Sequence, residues 1–449
     1  MDRLSHLLQQ QLVAMPTVRR YHVAFSGGAD SAALLGALAA LRERDALPGG
    51  AELQAIHVDH RLHPDAPAWA DHCRQVAERL GVTLRVVVVD AVAAPGESPE
   101  AAARRARYRA LSEGLGPDEA VLTAHHRDDQ AETLLLQLLR GSGPRGLAAM
   151  APVAPLGDGW LLRPLLGVER SALQGWLQAH HTAWLDDPSN ADPRFDRNYL
   201  RHHVLPALQQ RWPAATKTLE RAAAHQAEAA ELLDDLAAGD LAQAGVEAGA
   251  PLPQTVVLAL PPARQRNLLR FWLRSCGLRP PGQARLQTLL TQIACSGDTA
   301  APALHWPGGE VRCYRGRLYA GPPLPQPPAP GLSLPWDGVS PLPLPDGRRL
   351  IAEPTATGGL DPRHLRGGAL TLRFRGGGEQ LCPAGHRHRR PLKKLLAEAG
   401  VPPWQRPFVP LLYVGDALAA VAGHWVAAPF AARGEGIAIR AAKSRPDGI

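Results

Sequence analysis

Four absences exclude particular kinds of site and of protein for this 449-residue chain. Its first 216 residues contain no lysine, which excludes a Walker-type phosphate loop and Schiff-base catalysis there, because both require that amine. The five cysteines form no CxxC pair, which argues against a disulfide framework, a zinc knuckle or a redox couple. No apolar run reaches about 18 residues, so no membrane span is expected. The N-terminus also lacks a small-residue cleavage site, and we expect a cytoplasmic protein.

Negative charge is comparatively scarce. The formal net charge is +7 and the isoelectric point is about 9.4, which fits a polyanionic partner. The basic residues are almost all arginine, since the chain has only four lysines: Lys217, Lys393, Lys394 and Lys443. A compositional bias of the genome explains that ratio, so arginine content alone identifies no function.

Short apolar runs alternate with helical segments over the first 205 residues. Strands are predicted at 21–25, 53–59, 82–90 and 120–125, and helices at 31–44, 66–80, 97–115 and 128–140. The run Val86–Val89 predicts a strand buried on both faces. This alternation predicts an α/β domain, with a parallel sheet covered by helices on both faces. Ligands of such folds bind at the carboxyl ends of the strands.

The rest of the chain has a different character. Residues 214–244, 264–275 and 283–293 are helical in pattern, and 313–319 resembles a hairpin. Residues 321–345 are dense in proline, which is typical of a linker. We therefore predict a catalytic domain at 1–213, a mostly helical middle domain at 214–320, a linker at 321–345 and a small α+β domain at 346–449.

A glycine-rich loop follows the first predicted strand and opens a helix: Ser26, Gly27, Gly28, Ala29, Asp30 and Ser31. The two glycines let backbone N–H groups turn inward and form an anion nest at the helix N-terminus. Asp30 is unusual beside phosphate unless a cation lies between them, so we interpret it as a Mg²⁺ contact. The alternative is an ordinary strand-to-helix turn.

A second polar motif crosses from a strand end to a helix start, at Ala124–Thr133. A helix places Asp129 and Glu132 on one face, so both carboxylates can point into a cleft. Asp128 alone could be a helix cap, but capping does not require the neighbouring histidines and acids. A zinc site is disfavoured because the HExxH spacing is absent.

Together these residues resemble the pyrophosphate-loop ATPases, whose pattern is SGGxDS. Within that superfamily, HHxDDQxET followed by Gly141-Ser142-Gly143 resembles the tRNA(Ile)-lysidine synthetase family. Further matches to that family are Glu100–Arg104 with Arg107-Tyr108, Asp187–Asn190, Arg197-Asn198 with Arg201, Leu392–Leu395, Val401–Trp404 and Arg406. The chain departs from the family at 60–63, where His-Arg-Leu-His replaces the usual His-Gly-Leu-Arg.

The resemblance implies an adenine nucleotide alpha-hydrolase-like fold and a specific reaction. Such enzymes use ATP to adenylate cytidine 34 of an isoleucine tRNA with a CAU anticodon, and free L-lysine then displaces AMP to give lysidine. The implied catalytic residues are Asp30, His126, Asp129 and Glu132, with Asp30 and Asp129 as Mg²⁺ ligands. The arginines expected to contact tRNA or adenylate phosphates are Arg104, Arg107, Arg197 and Arg201. The sequence leaves open whether the protein forms a homodimer.

The C-terminal region carries ten basic and two acidic residues between Arg363 and Arg406. Phosphate contacts are expected from four of them, Arg389, Arg390, Lys393 and Lys394, with Trp404 stacking on RNA. The alternative for this charge run is a solvated face.

The competing functions are a tRNA thiolase, an amide-forming synthetase and a non-catalytic nucleotide sensor. The thiolase lacks its paired cysteines here, because only Cys73 lies in the N-terminal domain.

Overall fold

The computed structural model describes residues 2–61, 63, 65–93, 98–186, 192–295, 303–329, 331–366 and 370–443. The chain divides into two compact units, Met1–Asp235 and Leu236–Ile449. The Asp187–Asn190 motif lies outside the described residues. Among the residues described, no helix combines the length and apolar character needed to cross a membrane.

The first unit is built on a six-stranded sheet in the order β3-β2-β1-β4-β6-β5. Its strands are β1 (Arg20–Ala24), β2 (Glu52–Asp59), β3 (Thr83–Val88), β4 (Glu119–Leu122), β5 (Val153–Leu156) and β6 (Gly159–Leu162). Its helices are α1 (Arg3–Val13), α2 (Ala29–Glu43), α3 (Ala66–Arg79), α4 (Pro99–Ser112), α5 (Arg127–Leu139), α6 (Pro144–Leu147), α7 (Arg170–Ala179), α8 (Asp196–Tyr199), α9 (Leu205–Arg211) and the first part of α10 (Ala215–Gln243). All neighbouring strands are parallel except β5, which is antiparallel to β6.

Helices cover both faces of this sheet, as predicted. On one face α1, α2, α3 and α7 bury a large apolar cluster against β1, with Tyr21, Val23 and Phe25 pointing into it. On the other face α4 packs Leu111 against Ile56, Val121 and other sheet residues. Burial on both faces explains why these strands are rich in apolar residues.

The prediction that the valine-rich strand is buried on both faces is wrong. Among the described strands, β3 lies at the edge of the sheet and pairs only with β2. Its residues are all exposed or half-buried, and Val88 is 49% exposed. A run of β-branched residues favours a strand at either a central or an edge position, so it does not specify burial.

In its described residues, the second unit combines helices with four small sheets. Its helices are the rest of α10, α11 (Gln254–Leu258), α12 (Pro262–Ser275), α13 (Gln283–Cys295), α14 (Arg363–Arg366) and α15 (Leu392–Glu398). Its strands are β7 (Leu252–Pro253), β8 (Ala303–Trp306), β9 (Gly309–Tyr314), β10 (Arg317–Gly321), β11 (Ser333–Trp336), β12 (Leu342–Pro343), β13 (Arg348–Thr355), β14 (Leu370–Arg373), β15 (Gln380–Leu381), β16 (Arg390–Pro391), β17 (Leu411–Val414), β18 (Ala417–Val421), β19 (Trp425–Val426) and β20 (Gly436–Lys443). The predicted hairpin is confirmed, because β9 and β10 pair around Tyr314 and Arg317.

The proline-rich segment 321–345 differs in part from the predicted linker. β11 within it pairs with β14, and β12 pairs with β13. Trp336 and Leu344 are buried in the apolar core around these strands. Proline is tolerated in these short edge strands because an edge position needs no N–H on its outer side.

Candidate active site

The glycine-rich loop lies at the carboxyl end of β1 and leads into α2. Gly27 has φ +85°, and a Cβ there would lie 3.0 Å from Cys73 Sγ and 3.1 Å from Leu185 Cδ1. Glycine is therefore required by both conformation and space. The Ser31 hydroxyl donates to Gly28 O at 3.0 Å, and the Ser26 and Ser31 hydroxyls are 3.1 Å apart. The loop thus presents hydroxyls and the N-terminus of a 15-residue helix to one point, which suits an anion.

Two residues distant in sequence, Cys73 and Leu185, contact the glycine-rich loop at Gly27. Leu185 N donates to Gly27 O at 2.9 Å. Cys73 is fully buried beside Gly27, and burial raises the pKa of its thiol to about 12. The thiol is therefore neutral at physiological pH and acts as an apolar packing group.

His126 connects the loop to the acidic motif. It precedes α5, is 1% exposed, and its Nε2 lies 3.5 Å from Asp30 Oδ2 and 3.4 Å from Asp129 Oδ2. Its Nδ1 lies 3.5 Å from Asp128 Oδ2. Burial alone would lower the pKa of His126, but Asp128, Asp30 and Asp129 raise it to about 9. The imidazole is therefore a cation at neutral pH, surrounded by three carboxylates.

Asp129 and Glu132 are held by two arginines. Glu132 is fully buried; its Oε2 accepts from Arg197 Nε at 2.6 Å and its Oε1 from Arg201 Nε at 2.7 Å. Asp129 Oδ1 accepts from Arg197 Nη2 at 2.9 Å and from Arg201 Nη2 at 3.2 Å. The four side chains form a charge-balanced network in which each guanidinium contacts both carboxylates.

Arg197 and Arg201 reach these carboxylates from a helical stretch with a local irregularity. Arg197 lies in α8, and Arg201 lies in the π-helical turn Leu200–Val204 that follows it. Their separation by four residues puts both on one helix face. The structure thus places two arginines expected at tRNA inside the acidic motif; their role toward tRNA stays a prediction.

Other residues of the second motif fix its surroundings. Asp128 Oδ2 accepts from Arg170 N at 3.2 Å, so Asp128 caps the start of α7 rather than the helix α5 in which it lies. Gln130 exchanges two hydrogen bonds with the backbone of Met150, at 2.8 and 2.9 Å. His125 Nδ1 lies 2.8 Å from the Thr123 hydroxyl, and burial lowers the pKa of His125 to about 3. His125 is therefore neutral, in contrast to its neighbour.

Comparison with known proteins gives a consistent assignment over nearly the whole chain. The PP-loop domain model matches residues 2–208, the TilS substrate binding domain model 252–319, and the TilS substrate C-terminal domain model 370–441. A tRNA(Ile)-lysidine synthase from Alkalilimnicola ehrlichii is 45% identical over 441 residues, covering 98% of this chain and 97% of that protein. The chain belongs to the tRNA(Ile)-lysidine synthase family.

A second relative and a solved structure accompany that match. A tRNA(Ile)-lysidine synthase from Methylococcus capsulatus is 44% identical over 422 residues, covering 93% of this chain and 95% of that protein. A U34-tRNA thiolase from Methanococcus maripaludis superposes with a TM-score of 0.42 and 14% identity, covering 50% of this chain and 77% of that chain.

The departure from the family pattern at 60–63 keeps a glycine-like backbone. Arg61 has φ +52°, a left-handed conformation that glycine adopts freely and that costs other residues about 1–2 kcal/mol. Its N–H donates to Asp59 Oδ1 at 2.8 Å, which helps to hold this turn. Leu62, next in the motif, lies outside the described residues.

Two predicted arginines and one unpredicted arginine lie around α4. Arg104 is exposed and its guanidinium lies 5.0 Å from the centroid of the Tyr108 ring, while Arg107 Nε lies 3.4 Å from His60 Nε2. Their role toward phosphates stays a prediction. The unpredicted one is Arg163, which follows β6 and is only 8% exposed. The sequence feature that could have indicated it is an arginine directly after a short apolar run, Trp160–Leu162.

The basic segment of the second unit is largely exposed. Arg389, Lys393 and Lys394 face solvent, whereas Arg390 is half-buried and donates to Glu398 Oε1 at 2.5 Å. These residues lie around β16 and at the start of α15.

Trp404 is occupied by contacts within the protein. Its ring makes edge contacts with Tyr314 at 6.2 Å and Tyr319 at 5.8 Å, and Arg312 lies 5.6 Å from its centroid. The tryptophan therefore holds the β9–β10 hairpin, and this packing competes with the predicted stacking on RNA.

Proposed function

We propose that this chain joins free L-lysine to C2 of cytidine 34 in an isoleucine tRNA with a CAU anticodon, in an ATP-dependent reaction that forms lysidine. The observation that carries this proposal is the link between loop and acidic motif: His126 Nε2 lies within 3.5 Å of both Asp30 and Asp129. A nucleotide on the loop and an amine on the carboxylates would then share one cleft. The names of the relatives described above support this activity.

The chemistry divides into two balanced steps. In the first, cytidine O2 attacks the α-phosphate of ATP, the bond from Pα to the bridging oxygen breaks, and pyrophosphate leaves. In the second, the ε-amine of lysine attacks C2, the C2–O bond breaks, AMP leaves and the amine loses a proton. The loop N–H groups and the charged His126, whose Nε2 is 3.5 Å from Asp30 Oδ2, would stabilise the negative leaving groups.

Mg²⁺ would enter this site with ATP. Asp30 fits as its ligand, because Asp30 Oδ1 is buried and has no hydrogen-bond partner among the described residues. Asp129 fits less well, since Oδ1 already accepts from two arginines and Oδ2 from His126 N. Mg²⁺ commonly uses one or two carboxylates together with substrate phosphates, and there it supplies neutralising charge.

Lysine binding would use Asp129 and Glu132. Both carboxylates are buried or nearly so, and they can exchange part of their arginine contacts for an ammonium group. His126 serves as a positioning cation in this scheme, because its pKa of about 9 leaves it protonated at neutral pH.

The second unit would bind tRNA through exposed basic residues near α15, namely Arg389, Lys393 and Lys394. A cytoplasmic location would follow from the availability of tRNA, ATP and lysine there. A homodimer also stays a proposal, and analytical ultracentrifugation of the full chain would test it.

Transfer of radiolabelled lysine tests the function. We expect ATP-dependent labelling of isoleucine tRNA transcripts with the CAU anticodon, and none of transcripts in which U replaces C34. Equal labelling of both transcripts, or labelling without ATP, would contradict the proposal.

A further inference from the structure

Arg163 is a buried cation with unused hydrogen-bonding capacity. Its Nη1 donates to Ala151 O at 2.6 Å, but its Nε is buried without a hydrogen-bond partner among the described residues. Arg163 also forms no ion pair with any described residue. Burial lowers its pKa, and the other groups that act on the pKa are Tyr108 and Arg104, neither of which is a carboxylate. Burying an unpaired guanidinium is costly, so its presence at a strand end points to an anionic ligand.

The sheet register places Arg163 next to the carboxyl end of β4, where the second polar motif begins. Leu162 pairs with Leu122, and Thr123 N donates to Leu162 O at 3.0 Å, so Arg163 lies beside Thr123. Thr123 in turn holds His125. His125 is within electrostatic reach of both side chains: Asp129 raises the pKa of His125 and Arg163 lowers it.

A free amino acid requires both kinds of charge in its site. Beside the reacting ε-amine, lysine carries an α-ammonium and an α-carboxylate, and Asp129 and Glu132 match only a positive group. Arg197 and Arg201 are each engaged by both of those carboxylates. Among the arginines described above, Arg163 is the buried one that no carboxylate compensates.

We propose that Arg163, together with the Tyr108 hydroxyl, binds the α-carboxylate of the lysine substrate. This inference rests on the proposed function, because it assumes that free lysine is the nucleophile. The Tyr108 hydroxyl lies close enough to act on the pKa of Arg163, and its oxygen accepts from Arg104 Nη2 at 3.4 Å, so its own proton would be a second donor to the carboxylate. Arg163 would thereby select an amino acid over a simple diamine.

The test compares L-lysine with L-lysinamide, which keeps both amines and lacks the carboxylate. With the full chain, ATP and tRNA, we expect wild-type kcat/KM to favour lysine by roughly 10- to 100-fold, the scale of a charge-assisted contact. Arg163→Met keeps an unbranched side chain that replaces the aliphatic part of arginine but removes the guanidinium, and it should bring this preference close to unity, chiefly by raising the KM for lysine. Tyr108→Phe should reduce the preference by a smaller factor.

Three readouts separate the outcomes. Pyrophosphate release with tRNA and no lysine should be unchanged in Arg163→Met, which shows that the fold and the adenylation step survive. Arg109→Met, an exposed change on the same helix as Tyr108, should leave the lysine preference at the wild-type value. Slower pyrophosphate release with an unchanged lysine preference would mean that Arg163 binds a phosphate. An equal loss of kcat/KM for L-lysine and L-lysinamide would mean that its role is purely structural. Either result overturns the proposal; if Arg163→Met fails to fold, an unchanged preference in Tyr108→Phe does the same.

Discussion

Replacing Glu132 with glutamine should destabilise the first unit, besides weakening lysine use. The carboxylate is fully buried and accepts three hydrogen bonds from Arg197 and Arg201, at 2.6, 2.7 and 3.0 Å. Glutamine preserves the shape but turns one acceptor oxygen into an NH₂ group that faces guanidinium donors. Two arginines, 25% and 21% exposed, would then share one carboxylate, Asp129, and one uncharged amide oxygen.

The expected loss follows from the cost of breaking a buried ion pair. Removing one partner typically costs about 3–5 kcal/mol, and Asp129 remains, so we expect about 3 kcal/mol. At about 2–4 °C per kcal/mol for a unit of this size, the melting temperature should fall by about 6–12 °C. Glu169→Gln is the matched control: Glu169 is 61% exposed where it meets Arg127, so its loss should cost less than about 1 kcal/mol.

Thermal unfolding followed by circular dichroism measures both variants. A double variant, Glu132→Gln with Arg201→Gln, should lose less stability than the sum of the single changes, because the two residues interact directly. A wild-type melting temperature for Glu132→Gln, or strict additivity in the double variant, would refute the buried network.

Three further outcomes are expected. Asp30→Ala should abolish pyrophosphate release with little change in melting temperature, because this carboxylate supports no apolar core; near-normal release would remove Asp30 from the nucleotide site. The Cys73 thiol should resist iodoacetamide at pH 8 while exposed Cys295 reacts, because burial raises the pKa of Cys73 to about 12; rapid mass-spectrometric labelling of Cys73 in the folded protein would contradict this. Neutralising the basic segment should weaken tRNA binding and reduce the slope of log affinity against log salt by roughly 0.7–0.9 per phosphate contact, whereas an unchanged slope would indicate a solvated face. The residues concerned are Arg389, Arg390, Lys393 and Lys394, of which Arg390 should contribute least because it is paired with Glu398.

The sequence was sufficient for the catalytic fold and for the placing of its loops. The strand before Ser26 and the helix after it are local features, so propensity and glycine pattern were enough to predict them. The same holds for the helix that presents Asp129 and Glu132 on one face. Edge position is different: β3 is partly exposed because no described strand pairs with its outer side, and strand order depends on contacts distant in the sequence.

Partnership between distant charges also escaped prediction. The pairing of Glu132 with Arg201 joins residues 69 apart in sequence, and nothing local distinguishes an arginine that meets a carboxylate from one that meets a phosphate. The raised pKa of His126 likewise depends on Asp30, from a different loop. The packing of Trp404 against Tyr314 and Tyr319 was also not predicted, because it is a tertiary contact that the local sequence does not reveal.

The order of the two chemical steps tests the central claim most directly. The full chain is incubated with ATP and isoleucine tRNA carrying the CAU anticodon, first without lysine and then with it, and pyrophosphate and AMP are measured separately. We expect pyrophosphate release that requires tRNA but not lysine, followed by AMP release only when lysine is added. Release of ADP and orthophosphate, or of pyrophosphate without tRNA, would contradict it.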